Sequence, residues 1–386
     1  MNKICVGYAR REINPPTGIW LIGYGSRTKA CEGVHDSIYA SAAALSDGEK
    51  TVLLIALDVC MVNAETSAAI KDAIREEVGI GAADIFINTS HTHSGPTTGK
   101  QGKTPASEQY YGVLVRRTTE AAVSALKEVK AASFGFGRAR LDIGCNRREE
   151  KPSGEIVLGV NPAGPRLAEV TVWNFARKDA EDVVVFSAPI HAATLGPSNY
   201  LTSGDWPGAA VRHIEKKIPG VRAVFLQGCA ADQNPYHQGG SFEHVEEHGA
   251  ATAEAVALAL KNMTPANAVP IKTVTGEMQL PLAEGGTHPC PIHGVRLGDA
   301  VLLGIGAEVF VEYALFGREK SRAKTTLILG YTDDCIGYIP VDSAYLKGGY
   351  ETVANKNFAL GKLWKPGVEA ATKEGIARMI AELAKT

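Results

Sequence analysis

Apolar residues along the chain fall into short continuous runs, separated by longer stretches with helical spacing. Thr51–Leu57 is an unbroken apolar run, long enough for a buried strand and too short for a buried helix. Residues 63–77 place apolar positions three and four apart with charges on the outer face, which predicts an amphipathic helix. Residues 84–88 read as a strand, 108–129 as a long helix, and 133–143, 167–175 and 182–187 as strands. Residues 206–217 read as a helix, with Asp205 placed to cap it and Pro207 near its first turn, where proline is tolerated. Strand 222–227, helix 241–262, strands 269–282 and 301–305, helix 308–322, strand 325–329 and helix 369–385 follow. Strands that alternate with helices of ten or more residues predict an α/β fold of layered mixed sheets flanked by helices. No repeat period is visible. Stretches 95–106, 149–159, 236–240 and 283–293 are looser and rich in Gly, Pro, Thr, Ser and Lys. The last is the best candidate for an internal seam in what otherwise reads as one domain over residues 1–386.

Composition narrows the function classes. The chain has 386 residues, 45% hydrophobic and 21% charged, with a formal charge of −2. No basic field recruits nucleic acid, and no stretch reaches the roughly 20 apolar residues of a membrane span. The N-terminus enters a strand-like segment at once, without the apolar core of a secretion signal. Seven cysteines are scattered with no C-x-x-C pair, which fits a reduced, cytoplasmic protein and not a zinc–thiolate cluster. The expected partner is a small-molecule substrate, with a homo-oligomer left open.

Polar residues gather where the strands end, the place where α/β proteins bind ligands. Asp58 follows the run 51–57. His91 and His93 follow strand 84–88 in Asn-Thr-Ser-His-Thr-His-Ser-Gly-Pro-Thr, residues 88–97. Side chains two apart on a strand face one way, so both imidazoles are expected to reach a common space, as metal ligands or proton carriers or as hydrogen-bonded structural histidines. His191 follows strand 182–187, and Gln227-Gly-Cys-Ala-Ala-Asp-Gln-Asn-Pro follows strand 222–227. Glu308 stands at a predicted helix start. Tyr331, Asp333, Asp334 and Tyr338 follow strand 325–329. Each has an ordinary reading as a cap, turn or core residue, but six polar strand exits together suggest one assembled site. His244 and His248, in His-Val-Glu-Glu-His, match the H-x-x-E-H zinc order weakly. His213 reads as solvated. Gly23-Tyr-Gly25 lacks the third glycine and helix of a dinucleotide loop.

In order, Gly33-Val-His-Asp36, residues 88–96, Asn146-Arg147, His191, Ser203-Gly-Asp205, residues 225–235, Glu308 and Tyr338 resemble the neutral/alkaline non-lysosomal ceramidase family, across nearly the whole chain. The resemblance implies the catalytic-domain fold of that family and a Zn²⁺ held by His91, His191, Glu308 and Tyr338. It leaves His93 for proton transfer or oxyanion stabilisation. It makes Arg147 a holder of a polar substrate group, and Tyr350 a wall of the pocket. Asp58, Asp205 and Asp232 are expected to orient the metal-binding histidines, and Asp232, with His93, Arg147 and Tyr350, is expected to be catalytic. Departures accompany the match. The family's functional serine is Gly228 here, beside a Cys229 with no base near it in sequence. There is no room for the family's C-terminal domain. These differences point to a zinc-dependent amidase acting on a small soluble substrate and not on ceramide. The alternatives are a zinc-dependent ester, lactone or glycoside hydrolase or lyase, and a non-catalytic metal- or metabolite-binding protein.

Overall fold

The computed structural model describes residues 3–99, 104–357 and 360–385. The looser stretch 95–106 therefore falls partly outside the described residues. A nine-stranded sheet runs in the order Val221–Gln227, Asp182–Ala188, Glu169–Arg177, Lys130–Arg140, Cys5–Glu12, Tyr39–Ser46, Thr51–Leu57, Ile85–Thr89, with Thr264–Ala266 added to Lys130–Arg140. A four-stranded sheet runs Ile271–Pro281, Thr287–Leu297, Ala300–Ile305, Thr325–Leu329. The expectation of an α/β fold with layered mixed sheets holds.

One motif occurs three times: an antiparallel hairpin, a helix, then a strand parallel to the hairpin's second arm. Tyr39–Ser46 and Thr51–Leu57 are followed by helix Ala64–Val78 and strand Ile85–Thr89. Glu169–Arg177 and Asp182–Ala188 are followed by helix Asp205–Lys217 and strand Val221–Gln227. Thr287–Leu297 and Ala300–Ile305 are followed by helix Val311–Lys320 and strand Thr325–Leu329. Alternate residues of these strands face opposite layers, as the pleat dictates. Val52, Leu54, Val183, Val185, Val224, Leu226, Leu302 and Leu327 fill one shared inner core. Leu53 and Ile55 pack outward under one pair of helices, Val184 and Phe186 under a second, and Leu303 and Ile305 under a third. Burial on both faces is why these strands read as continuous apolar runs.

Several expectations change. Residues 283–293 turn and enter the second arm of the hairpin Ile271–Pro281/Thr287–Leu297. Residues 149–159 belong largely to a hairpin of Gly144–Glu150 and Ile156–Asn161. The helix read as 308–322 is shorter, Val311–Lys320, and Glu308 sits on a two-residue strand paired with Tyr338–Ile339. No helix among the described residues is long and apolar enough to cross a membrane.

Candidate metal centre

The third strands of the three motifs end together. The Asn88 amide donates to the Gly330 carbonyl at 2.8 Å, and its oxygen accepts from the Gln227 N–H at 2.7 Å. The segments leaving these strand ends carry the site.

His91 and His93 meet for a different reason than strand alternation. The strand stops at Thr89, and His91 has φ +60°, in the left-handed region. For a non-glycine residue that conformation costs about 1–3 kcal/mol, and such strain collects at functional sites. The turn swings the His91 ring inward, and the His93 N–H is tied to the Ala192 carbonyl at 2.9 Å. The two Nε2 atoms end 3.1 Å apart.

His91, His191 and Glu308 converge, all almost fully buried. His91 Nδ1 lies 2.8 Å from the Cys60 carbonyl oxygen, and His191 Nδ1 lies 2.6 Å from that of Ala230. A carbonyl only accepts, so both Nδ1 atoms carry the proton and both Nε2 atoms present lone pairs. Those lone pairs are 3.2 Å apart, and Glu308 Oε2 lies 3.3 Å from one and 3.4 Å from the other. Three electron-pair donors facing one another repel unless a proton or a metal cation sits between them. Zinc ligands at 2.0–2.1 Å sit about 3.3–3.4 Å apart in a regular tetrahedron, so the spacing and the His₂Glu donor set fit zinc.

The electrostatics agree. Burial opposes the imidazolium of His91, but the charges of Cys60 and Glu308 outweigh it and push the ring up to about 10. Burial, then Arg147, takes His191 down to about 4. Burial also opposes the Glu308 carboxylate, yet His91 above all holds it well below the usual range. One positive charge is thus favoured in the space between them.

Around this centre lies a cavity of about 610 Å³, within the usual range for small-molecule sites, lined by Tyr24, Arg27, His93, Glu308, Tyr338 and Tyr350 among others. Tyr338 is held opposite Glu308 by strand pairing, and its ring lies 5.6 Å from that of Tyr350. Arg147 lies over both rings, at 5.5 and 5.8 Å, with Nη1 3.4 Å from His191 Nε2. Its Nε donates to Glu351 at 2.7 Å, and Arg148 donates to the other oxygen of the same carboxylate at 2.5 Å.

The aspartates do not orient the histidines; backbone carbonyls do. Asp58 accepts from the Tyr39 N–H. Asp205 accepts from the Thr194, Leu195 and Trp206 N–H groups. Asp232 accepts from the Asn146 amide and the Val311 N–H, at 2.7 and 2.9 Å, away from the cavity. Its backbone carbonyl also accepts from the Arg147 N–H at 2.8 Å.

Gly228 and Cys229 are not among the residues that line the cavity. A Cβ on Gly228 would come 2.9 Å from Pro189 Cα and 3.0 Å from its Cβ, so a serine has no room without a shift. Cys229 packs in the core, and burial raises its thiol well above the ordinary value. Gly228→Ser is expected to cost about 1–3 kcal/mol by overpacking, with no gain in amide turnover, as denaturant melts and assays would record.

Other residues enter unannounced. Tyr331 stacks on His91 at 4.2 Å, and its hydroxyl donates to Glu308 at 3.4 Å. Gly23, with φ +102°, has no room for a Cβ, which would sit 2.6 Å from His93 Cγ, and Tyr24 packs its ring edge-on at 4.8 Å. The Gly-Tyr-Gly element thus braces His93. His244 and His248 are not among the residues that line the cavity: His244, His237 and Glu247 could hold an ion, and buried His248 hydrogen-bonds His237 at 3.2 Å.

A sequence profile described as neutral/alkaline non-lysosomal ceramidase, N-terminal, matches residues 5–246. Neutral ceramidase 2 of Arabidopsis thaliana is 24% identical over 219 residues, 52% of this chain and 28% of that protein. Neutral ceramidase B of Dictyostelium discoideum is 24% identical over 248 residues, 57% of this chain and 33% of that protein. The chain thus spans about a third or less of the length of these relatives. The crystal structure of neutral ceramidase from Pseudomonas aeruginosa superposes with a TM-score of 0.83 at 16% identity, over 99% of this chain and 75% of that one, a likeness of fold.

Proposed function

This chain belongs to the neutral/alkaline non-lysosomal ceramidase family, and from that premise and the site's geometry we propose that it is a zinc-dependent hydrolase cleaving an amide bond of a small substrate other than ceramide. The observation that carries the reading is the convergence of two Nε2 lone pairs and the Glu308 carboxylate within 3.4 Å of one another. Tyr338 supplies a fourth, oxygen donor from the cavity wall. Zinc, when bound, lowers the pKa of a bound water towards neutrality and polarises a carbonyl.

The protein's residues do the rest. Burial, then His91 and His191, holds His93 well below its ordinary value, so its ring is neutral at pH 7. Its Nε2 faces the centre, 3.1 Å from His91 Nε2, and takes up and returns a proton. Arg147 Nη2, without a partner among the described residues, holds a polar group of the substrate. Tyr338 and Tyr350 shape the wall. The place of the family serine is closed by Pro189, which supports a substrate other than ceramide. All seven cysteines are unpaired, which supports a reducing compartment.

His93→Ala is expected to keep stoichiometric zinc while activity falls about 10²–10⁴-fold; metal analysis beside turnover separates the roles. The closed serine position also favours a second reading, ester or lactone cleavage by the same centre. A panel of N-acyl amides, esters and lactones decides: turnover of esters or lactones without amides would replace the leading reading.

A further inference from the structure

Resting on the amide-hydrolase reading, we infer that the substrate carries a carboxylate, and that Arg27 in the cavity wall receives it. Arg27 is 6% exposed. Its Nε donates to the Asn199 carbonyl at 3.2 Å and its Nη1 to the Ile22 carbonyl at 2.9 Å, while the guanidinium lies 5.0 Å over the Tyr24 ring. Nη2 has no partner among the described residues. Arg27 forms no ion pair among the described residues, whereas Arg147, over the rings of Tyr338 and Tyr350, is paired with Glu351. The residues outside the description, 1–2, 100–103, 358–359 and 386, include no Asp or Glu.

A buried charge is ordinarily paired, because an unpaired one loses its hydration for nothing in return. In the wall of a small-molecule cavity, such a charge marks the seat of a ligand's opposite charge. The planar guanidinium fork matches a carboxylate, and one unused nitrogen suits a single planar anion better than a phosphate, which takes several donors. Two carbonyls and the Tyr24 ring fix the fork's direction. The same loop braces His93 through Gly23 and Tyr24. The anion seat and the proton-carrying ring are therefore held by one loop, which suits a substrate that carries both an amide and a carboxylate. N-acylated amino acids have that form. Their hydrolysis adds water across the C–N bond to give a carboxylic acid and a free amine, with no further reactant.

The test uses the protein as purified and matched pairs: N-acetyl glycine, leucine and phenylalanine, each against its neutral carboxamide. Calorimetric titration is expected to show at least tenfold tighter binding of the carboxylate for at least one pair. Arg27→Gln is expected to abolish that ratio, and Arg27→Lys to retain part of it. Equal affinities in every wild-type pair, no binding by either member, or a ratio unchanged in Arg27→Gln would each overturn the inference. If Arg27→Gln does not fold, the wild-type ratio and Arg27→Lys still decide. Turnover is read separately. A carboxylate preference without turnover of any amide supports the seat and removes the amide reading; amide turnover without the preference keeps that reading and removes the seat.

Discussion

His191→Ala is expected to yield a folded protein that no longer holds stoichiometric zinc and has lost nearly all hydrolytic activity. Zinc binding at a four-ligand site is worth roughly 10–16 kcal/mol, so one ligand's share is about 3–4 kcal/mol, or about a hundred- to a thousandfold in affinity. The side chain lies against the carbonyl of Ala230 and the rings of His91 and His93. Its loss leaves His91 and Glu308 as an incomplete pair. Metal analysis after dialysis against a weak chelator, with circular dichroism to verify folding, reads the result. Full zinc retention in the variant would remove His191 from the shell.

Glu351→Ala is expected to be among the most damaging single changes to stability. Its carboxylate, 1% exposed, faces Arg147 and Arg148 at once. Truncation would leave two guanidiniums without their counter-charge, and breaking a buried pair costs about 3–5 kcal/mol. On a chain of 386 residues the melting temperature is expected to fall by about 4–6 °C. Activity is expected to fall too, because Arg147 loses the contact that sets it beside His191 and Tyr338. Glu351→Gln, which keeps an acceptor, should lie between. The pH dependence has a definite sign. Burial opposes the Glu351 carboxylate, but Arg147 and Arg148 outweigh it and hold its pKa below the ordinary glutamate value. Its contribution is therefore complete above the ordinary pKa and disappears as pH falls through the lowered one. The stability gap between wild type and Glu351→Ala should be full at pH 7 and shrink in acid. A gap independent of pH would contradict the ion-pair account.

Much of the site was legible in the sequence because apolar runs mark strands and polar residues at their ends stand out. His91, His191 and Glu308 stand out that way as candidates, and the family resemblance is what makes them metal ligands. The reasons attached to them were less secure. His91 reaches its partners through a left-handed turn, which no periodicity encodes. Glu308 sits on a short strand because Tyr338 pairs with it, a contact thirty residues away in sequence. The acceptors that orient the two histidines are carbonyls of Cys60 and Ala230, and a backbone carbonyl has no residue type to read, so the aspartates drew the expectation instead. Arg27 was missed because one arginine in a glycine-rich loop looks like any surface charge until its burial is known. Strand Tyr39–Ser46 is mostly alanine and serine, with Tyr39 its one aromatic and no β-branched residue, so the residue types that signal a strand are nearly absent. The threefold hairpin–helix–strand motif repeats in topology and not in residues, so no sequence period betrays it.

Anomalous diffraction at the zinc absorption edge, from crystals of the protein as purified, tests the central claim most directly. The expected result is a single strong peak about 2.0–2.1 Å from Nε2 of His91 and His191, with a Glu308 carboxylate oxygen at about 2.0–2.2 Å. A zinc peak elsewhere, at His237 and His244 for instance, with nothing between the three buried donors, would contradict the account.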